Sequence, residues 1–284
     1  MIEDRFSCPI RVFFEGRGII IYKRVALRVL QLANAFGIDL LKLCRAVAGI
    51  PIFLKTFLVY RKASRGSRFP IRGRHLRPIL NEIHGQAGQA SGHYFHQDLW
   101  AARKIFAAQP TKHIDIGSRI DGFVAHLLVF MPVEVIDIRP LANKLPGLTF
   151  IQEDATTLAR FKDDSIESIS SLHAIEHFGL GRYGDSVDPD ACFRAMRSLA
   201  RVLSPGGRLY FSVPIGIERV EFNAHRVFSP QTILETFNDL ILLSFAAVDG
   251  KGEFHSAASP EEFANSEYSC GLYEFTKSAH GYKY

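Results

Sequence analysis

The spacing of hydrophobic and polar positions changes along this chain. Between Tyr22 and Phe36, Val25, Val29, Leu32 and Phe36 recur at helical spacing, while Arg24, Arg28 and Gln31 fall elsewhere on the wheel. Ile38–Ala48 and, after Pro51, Ile52–Tyr60 read the same way and predict two further amphipathic helices. Uncharged runs here reach only about ten residues, against the roughly 20 that a spanning helix needs, which argues against a transmembrane segment. Arg61–Arg74 then mixes charge with Gly66, Pro70 and Gly73 and reads as a linker.

From Ser91 onward strands alternate with helices. Strands are predicted over His113–Gly117, Val133–Ile138, Leu148–Gln152, Ser165–Ser171, Arg208–Val213, Ile241–Val248 and Tyr268–Thr276. Helices are predicted over Gln97–Ala108, Phe123–Phe130, Pro189–Leu203 and Pro230–Phe237, with Ser204-Pro205-Gly206-Gly207 as the turn that ends the third. This order predicts an α/β fold, a Rossmann-like, doubly wound, mostly parallel seven-stranded sheet with an N-terminal helical extension. The expected boundary separates an extension and linker, 1–78, from a main domain, 79–284. In such sheets ligands bind beyond the carboxyl ends of the strands, where the strand order reverses.

Charge divides the chain at the same place. The net charge of +5 conceals +12 over residues 1–78 and −7 over the remainder. A hydrophobic content of 47% with 22% charged residues excludes wholesale disorder. The basic, apolar segment 19–60 has two readings: helices packed on the main domain or a second subunit, or a monotopic anchor. In the second, Arg and Lys meet anionic lipid while Phe53, Leu54, Phe57 and Leu58 enter the interface. Arg61–Arg77 is basic enough to attract nucleic acid but carries no recognition motif, which disfavours that partner. Cys8, Cys44, Cys192 and Cys270 form no CxxC and no local Cys/His cluster, which argues against a structural zinc; no metal is expected. The Met-Ile-Glu-Asp start lacks the basic opening of a signal peptide, so the expected location is cytoplasmic, peripheral on the inner face of the membrane.

Candidate chemistry collects after the strands. Asp115-Ile116-Gly117-Ser118-Arg119-Ile120-Asp121-Gly122 puts an acid at a strand end and glycines before a helix, which lets a ligand approach the backbone. Asp137 ends the next strand, where a carboxylate can accept ribose hydroxyls; the alternative is a solvated aspartate beside Arg139. Asp154-Ala155 follows the third strand and suits an adenine amino group, or else Asp154 is a cap ahead of Thr156 and Thr157. Ser171–Phe178 follows the fourth and concentrates His173, Glu176 and His177.

The order Asp-x-Gly-Ser, Asp137, Asp154-Ala155, His173–His177, Leu-Ser-Pro-Gly-Gly and Phe-Ser-Val-Pro resembles the class I S-adenosylmethionine-dependent methyltransferases over about residues 110–276. His225-Arg226-Val227-Phe228-Ser229-Pro230 also resembles their segment before a late helix. More narrowly, Gly92–Asp98 with Ser118-Arg119-Ile120-Asp121-Gly122-Phe123 looks like an uncharacterised family known only as a domain of unknown function. The resemblance implies S-adenosylmethionine as cofactor, with Asp115, Gly117 and Ser118 around its methionine part, Asp137 on the ribose, and Asp154 and Ala155 at the adenine. His173, His177 and His225 become the candidate bases, since a neutral histidine suits proton removal from an acceptor. Tyr94, His96, Arg119 and Glu176 are the expected substrate contacts. One departure stands out: Ser118-Arg119 replaces the family's second loop glycine, and Arg119 either crowds the cofactor or meets an acidic group of the substrate.

The function so implied is methyl transfer to a small-molecule or glycan or lipid-linked acceptor at a membrane surface. The competing reading is a non-catalytic module of the same fold serving as a scaffold or partner in a membrane-side assembly. A nicotinamide-dependent dehydrogenase is disfavoured because the loop lacks GxGxxG.

Overall fold

The computed structural model describes residues 28–82, 85 and 87–278. The expectations placed on Met1–Asp4, Cys8 and residues 19–27 (Tyr22, Arg24 and Val25 among them) lie outside the described residues. The chain divides into two compact units at Gln89/Ala90, eleven residues beyond the expected boundary after residue 78.

In the unit Ser7–Gln89, residues 28–35 are helical and end at a turn in which Gly37 takes φ 78°. Asp39 then caps α1, Leu40–Ala63, by accepting from the Lys42 N–H at 2.9 Å. The two helices expected on either side of Pro51 are therefore one helix of 24 residues. Gly49 is buried, and the Leu80 carbonyl lies where its Cβ would stand. Arg61 and Lys62 end the helix favourably for its dipole. Leu43, Val47, Ile50, Leu54, Leu58 and Val59 are exposed. Counting uncharged runs concealed a property of the continuous helix: with mean hydropathy 1.6 over 18 residues, α1 is long and apolar enough to cross a membrane. Its lysines and arginines sit on long stems that can carry their charge toward water.

The unit from Ala90 has the expected Rossmann-like α/β architecture. Its main sheet contains β1 (His113–Ile116), β2 (Val133–Asp137), β3 (Leu148–Gln152), β4 (Ile166–Leu172), β5 (Leu203–Ile215), β8 (Leu240–Val248), β9 (Phe254–His255) and β10 (Ser269–Lys277). The order is β3-β2-β1-β4-β5-β10-β8-β9. Strands β3, β2, β1, β4 and β5 pair in parallel, while β10 runs antiparallel between β5 and β8. All seven expected strands are present. The hairpin β6 (Arg219–Glu221) and β7 (His225–Val227) and the edge strand β9 are additional. The Ser204–Gly207 turn lies within β5, where the register against β4 slips.

Strand alternation sends side chains to two separate cores. Ile114, Ile116, Leu209, Phe211, Val213, Phe245, Ala247, Tyr273 and Phe275 join α4 (Ala191–Val202) and α5 (Pro230–Thr236) on one face. Val133, Val135, Leu172, Tyr210, Ala246, Val248, Cys270 and Leu272 join α2 (His93–Ala108) and α3 (Ala125–Leu127) on the other. Helices on both faces make the sheet doubly wound. The segment expected as a helix from Phe123 begins earlier, as a π-turn over Ile120–Val124 that runs into α3.

Candidate functional site

One cleft lies beyond the carboxyl ends of β1 to β4, across the point where the strand order reverses between β1 and β4. It is lined by Gly117 after β1, Asp137–Arg139 at the end of β2, Asp154–Thr156 after β3, and His173, Ala174 and His177 after β4. Tyr94 and Arg119 border it, and Tyr183 reaches it from the loop after the Ile175–His177 turn. Four of the six expected cofactor residues, Gly117, Asp137, Asp154 and Ala155, therefore share one cavity.

The other two are placed differently. Asp115 points into the α2 face of the sheet, fully buried, and accepts from the Ser118 amide (3.0 Å), Ser118 Oγ (2.6 Å) and Ser170 Oγ (2.5 Å). Burial pushes its carboxyl up to about 6, against the opposing pull of these hydrogen bonds. Ser118 Oγ also accepts from the Leu172 amide at 3.0 Å. Both side chains are thus occupied in shaping the turn, and neither lines this cleft, although Ser118 borders a second cavity beside it with Arg119, Asp137 and Arg139. Gly117 is the residue of this turn that lines the cleft: it takes φ 71°, and a Cβ there would stand 3.0 Å from the Ala174 Cβ.

Asp137 is bracketed by its neighbour. Its Oδ1 accepts from Arg139 N and Nε at 2.8 and 2.9 Å, and its Oδ2 from Arg139 Nη2 at 2.5 Å. The Arg139 guanidinium lies 4.7 Å from the Tyr183 ring centre. Asp154 Oδ1 accepts from Thr156 N (2.8 Å) and Oγ1 (2.5 Å), the local cap foreseen as its alternative role, yet Asp154 remains on the cleft wall.

The histidines separate by environment. His177 lines the cleft, and its Nδ1 donates to the Ala224 carbonyl at 2.7 Å, which leaves the lone pair on Nε2. Burial holds it below the ordinary histidine range, against the attraction of Glu176. His173 reaches the cleft in a left-handed conformation, φ 48°, held by its amide on the Ser212 carbonyl at 2.9 Å. Its Nδ1 meets Glu176 Oε1 at 2.7 Å, and its buried Nε2 has no partner among the described residues. Burial disfavours its charge, but Cys270 and Glu176 outweigh that and push its pKa well above the usual value. His225, on β7, does not line the cleft; it packs against the Tyr268 ring at 5.4 Å.

The expected substrate contacts divide by position as well. Glu176 is buried behind His173 and orients it, with 1% of its side chain exposed. His96 turns away from the cleft and stacks on Phe254 at 5.4 Å. Tyr94 and Arg119 meet expectation in position. The Arg119 guanidinium lies 4.9 Å from the Tyr94 ring centre and pairs with Asp121 at 3.2 Å, so it borders the cleft and does not fill it.

Several contributors escaped the sequence reading. Tyr183 packs edge-on to His177 and also lies beside Arg182. Gln97 on α2 accepts from Ser212 Oγ at 2.7 Å and donates to Asp98 Oδ1 at 3.1 Å, and the same Ser212 Oγ accepts from the His173 amide at 3.2 Å. His93 stands beside His173, with ring centres 5.4 Å apart, and beside Tyr268 at 5.0 Å. Side-chain donor atoms of His93, His173 and Cys270 all lie within 4.8 Å of one another. No local spacing signals that cluster, because its members come from α2, the end of β4 and β10.

A family model described as Caenorhabditis protein of unknown function, DUF268, matches residues 143–247. That span includes Asp154, His173, His177 and His225 but not the Ser118–Phe123 loop. Comparison with curated protein sequences finds no match. Among solved structures, the chain is similar to one from Galdieria sulphuraria described as a sarcosine dimethylglycine methyltransferase, at 18% identity and TM-score 0.48, covering 65% of this chain and 86% of that one. It is similar to the N-methyltransferase NodS from Bradyrhizobium japonicum in complex with S-adenosylhomocysteine, at 14% identity and TM-score 0.46, covering 66% and 88%. It is also similar to 1,6-didemethyltoxoflavin-N1-methyltransferase from Burkholderia thailandensis, at 16% identity and TM-score 0.46, covering 64% and 78%.

Proposed function

We propose that the unit from Ala90 binds S-adenosylmethionine in this cleft and transfers its methyl group to a small-molecule, glycan or lipid-linked acceptor. The observation that carries this reading is the shared cavity of Gly117, Asp137 and Asp154, which follow three adjacent strands at the switch point. The residues fit the group. Gly117 brings bare backbone to the cleft wall beside Ala174, Asp137 offers carboxylate oxygens for ribose hydroxyls, and Asp154 with Ala155 forms the wall for adenine.

The cofactor, when bound, supplies a methyl group on a positively charged sulfur. The chain's own work is then orientation and proton removal. His177 holds the acceptor proton at Nε2, because Nδ1 already donates to Ala224. Tyr94 and Tyr183 flank the cleft and exclude water, and Arg119 at its rim meets an acidic group of the acceptor. Calorimetry of the full chain with S-adenosylmethionine and S-adenosylhomocysteine tests the reading; folded protein that binds neither at high micromolar concentration would overturn it. The Arg139 clamp on Asp137 is the observation that favours the alternative, a non-catalytic scaffold or partner, and that alternative predicts the same null result.

The acceptor is proposed to lie at the inner face of a membrane, with α1 as the attachment. At 1.5 Å per residue its 24 residues extend roughly 36 Å, against a hydrocarbon core of about 30 Å. Flotation with anionic vesicles followed by alkaline carbonate extraction reads this. Extracted protein lay on the surface, retained protein spans, and failure to float refutes attachment.

A further inference from the structure

The cluster beside the cleft carries an inference that goes beyond methyl transfer. His93, His173 and Cys270 are buried and bring three nitrogen and sulfur donors within 4.8 Å of one another. Two imidazoles on one zinc ion, each bonded at about 2.1 Å, put their ring centres roughly 5 Å apart. The His93 and His173 rings are 5.4 Å apart, with planes 6° from parallel.

His173 supplies the decisive detail. Its Nδ1 is fixed by Glu176 Oε1 at 2.7 Å, while Nε2 is buried without a partner among the described residues. A buried polar atom left unpaired costs about 1–3 kcal/mol, and the Cys270 thiol beside His173 is only a weak hydrogen-bonding partner, so a nitrogen facing a thiol and a second imidazole needs a further reason. A carboxylate on the far nitrogen of a histidine is the arrangement that orients such rings toward metals. The Glu176 side chain is 1% exposed and sits 2.7 Å from His173 Nδ1, nearer than its other imidazole neighbour, His177 Nε2 at 3.8 Å. The backbone around His173 is also held in a costly left-handed conformation, φ 48°, by Ser212.

We propose that His93, His173 Nε2 and Cys270 Sγ bind one divalent ion of borderline softness, zinc foremost, with Glu176 as the positioning residue behind His173. As the metal–sulfur bond forms, the Cys270 thiol proton leaves to solvent, and any proton on His173 Nε2 leaves with it. Three protein ligands leave a fourth position for water or for a heteroatom of a bound molecule, the pattern of open zinc sites. The mixed nitrogen and sulfur set selects zinc over magnesium or calcium, which prefer oxygen.

The test uses the full chain and does not depend on cofactor binding. Metal analysis after purification is expected to give one zinc per chain. The stripped chain refilled with cobalt is expected to show a thiolate-to-cobalt charge-transfer absorption. Cys270→Ser is expected to abolish that absorption and to weaken zinc at least about a hundredfold in competition with a chromophoric chelator, and Glu176→Gln to weaken it by roughly 10–100-fold. Cys44→Ser, at an exposed cysteine on α1, should change neither. Should Cys270→Ser fail to fold, the wild-type cobalt spectrum decides alone. A folded wild-type chain that takes up no zinc or cobalt overturns the site, as does an absorption that survives in Cys270→Ser.

Discussion

Asp137→Ala separates a nucleoside site from a surface ion pair. If the Asp137 carboxylate accepts both ribose hydroxyls, its removal deletes two hydrogen bonds to a charged acceptor, each about 1.5–3 kcal/mol. The loss is then about 3–6 kcal/mol, or on the order of 10²–10⁴ in affinity for S-adenosylhomocysteine. The same substitution releases Arg139, whose side chain is 46% exposed, so the lost pair should cost stability no more than about 1 kcal/mol. Arg139→Ala provides the counterpart. It removes the same ion pair but spares the carboxylate, and should change affinity less than about tenfold.

Calorimetry of wild type and both variants, with thermal unfolding as the control for folding, reads all of this. A binding residue gives a large loss in Asp137→Ala alone. A surface pair gives two matched variants, slightly less stable and with unchanged binding. Asp137→Ala binding within about threefold of wild type, less than 1 kcal/mol, would refute the reasoning.

Three further outcomes follow from the site. The Asp115 carboxyl, raised to about 6 from 3.8 by burial, stabilises the fold below its unfolded value and loses that contribution as pH rises through 6. Asp115→Asn should therefore destabilise more at pH 4 than at pH 7, by about 2–3 kcal/mol in denaturant titrations; a pH-independent difference would count against this. Gly117→Ala must hold alanine at φ 71° with its Cβ 3.0 Å from Ala174. Scanning calorimetry should show a loss of about 1–2 kcal/mol, and ligand titration a loss of binding. Because burial keeps His177 below 6.5, the acid limb of the methyl-transfer rate should fall at a pH under that value and vanish in His177→Gln.

The seven strands were legible because each is a short apolar run between turn signals, and Gly117, Asp137 and Asp154 were legible because they follow such runs. Asp115 lies off the cleft for a reason of period. It precedes Ile116 in a strand whose neighbours alternate between faces, so it points into the α2 layer and not along the strand toward the cleft. Tyr94 and His96 were read together, but two residues on a helix differ by about 200° in direction, and only Tyr94 faces the cleft. Proline at position 51 suggested a break that α1 does not make. His93 and Cys270 carried no local signal, because their proximity exists only once β10 is inserted between β5 and β8.

The departure at Ser118-Arg119 bears on whether the cleft works, and the structure gives it a coherent explanation. The serine faces inward, where it donates to Asp115 at 2.6 Å and accepts from the Leu172 amide at 3.0 Å. Behind Asp115 the same layer continues through Ser170 to His113 Nε2 (2.9 Å), and from Nδ1 to Ser168 (2.8 Å). Burial pushes His113 down to about 3, so the imidazole is neutral and accepts from one serine while donating to the other. A glycine in place of Ser118 would leave this layer without its end. Arg119, next in sequence, is consequently directed outward onto Tyr94. Ser118→Ala should orphan the buried Leu172 amide and take one of the three hydrogen bonds from Asp115, at about 1–3 kcal/mol together, several degrees in unfolding temperature for a unit of this size. Arg119→Ala breaks only a half-exposed pair with Asp121 and should stay within about 1 kcal/mol of wild type. If instead Arg119→Ala were the more destabilising, the loop would be held from outside by the arginine, and the serine would not be the residue that fixes the turn.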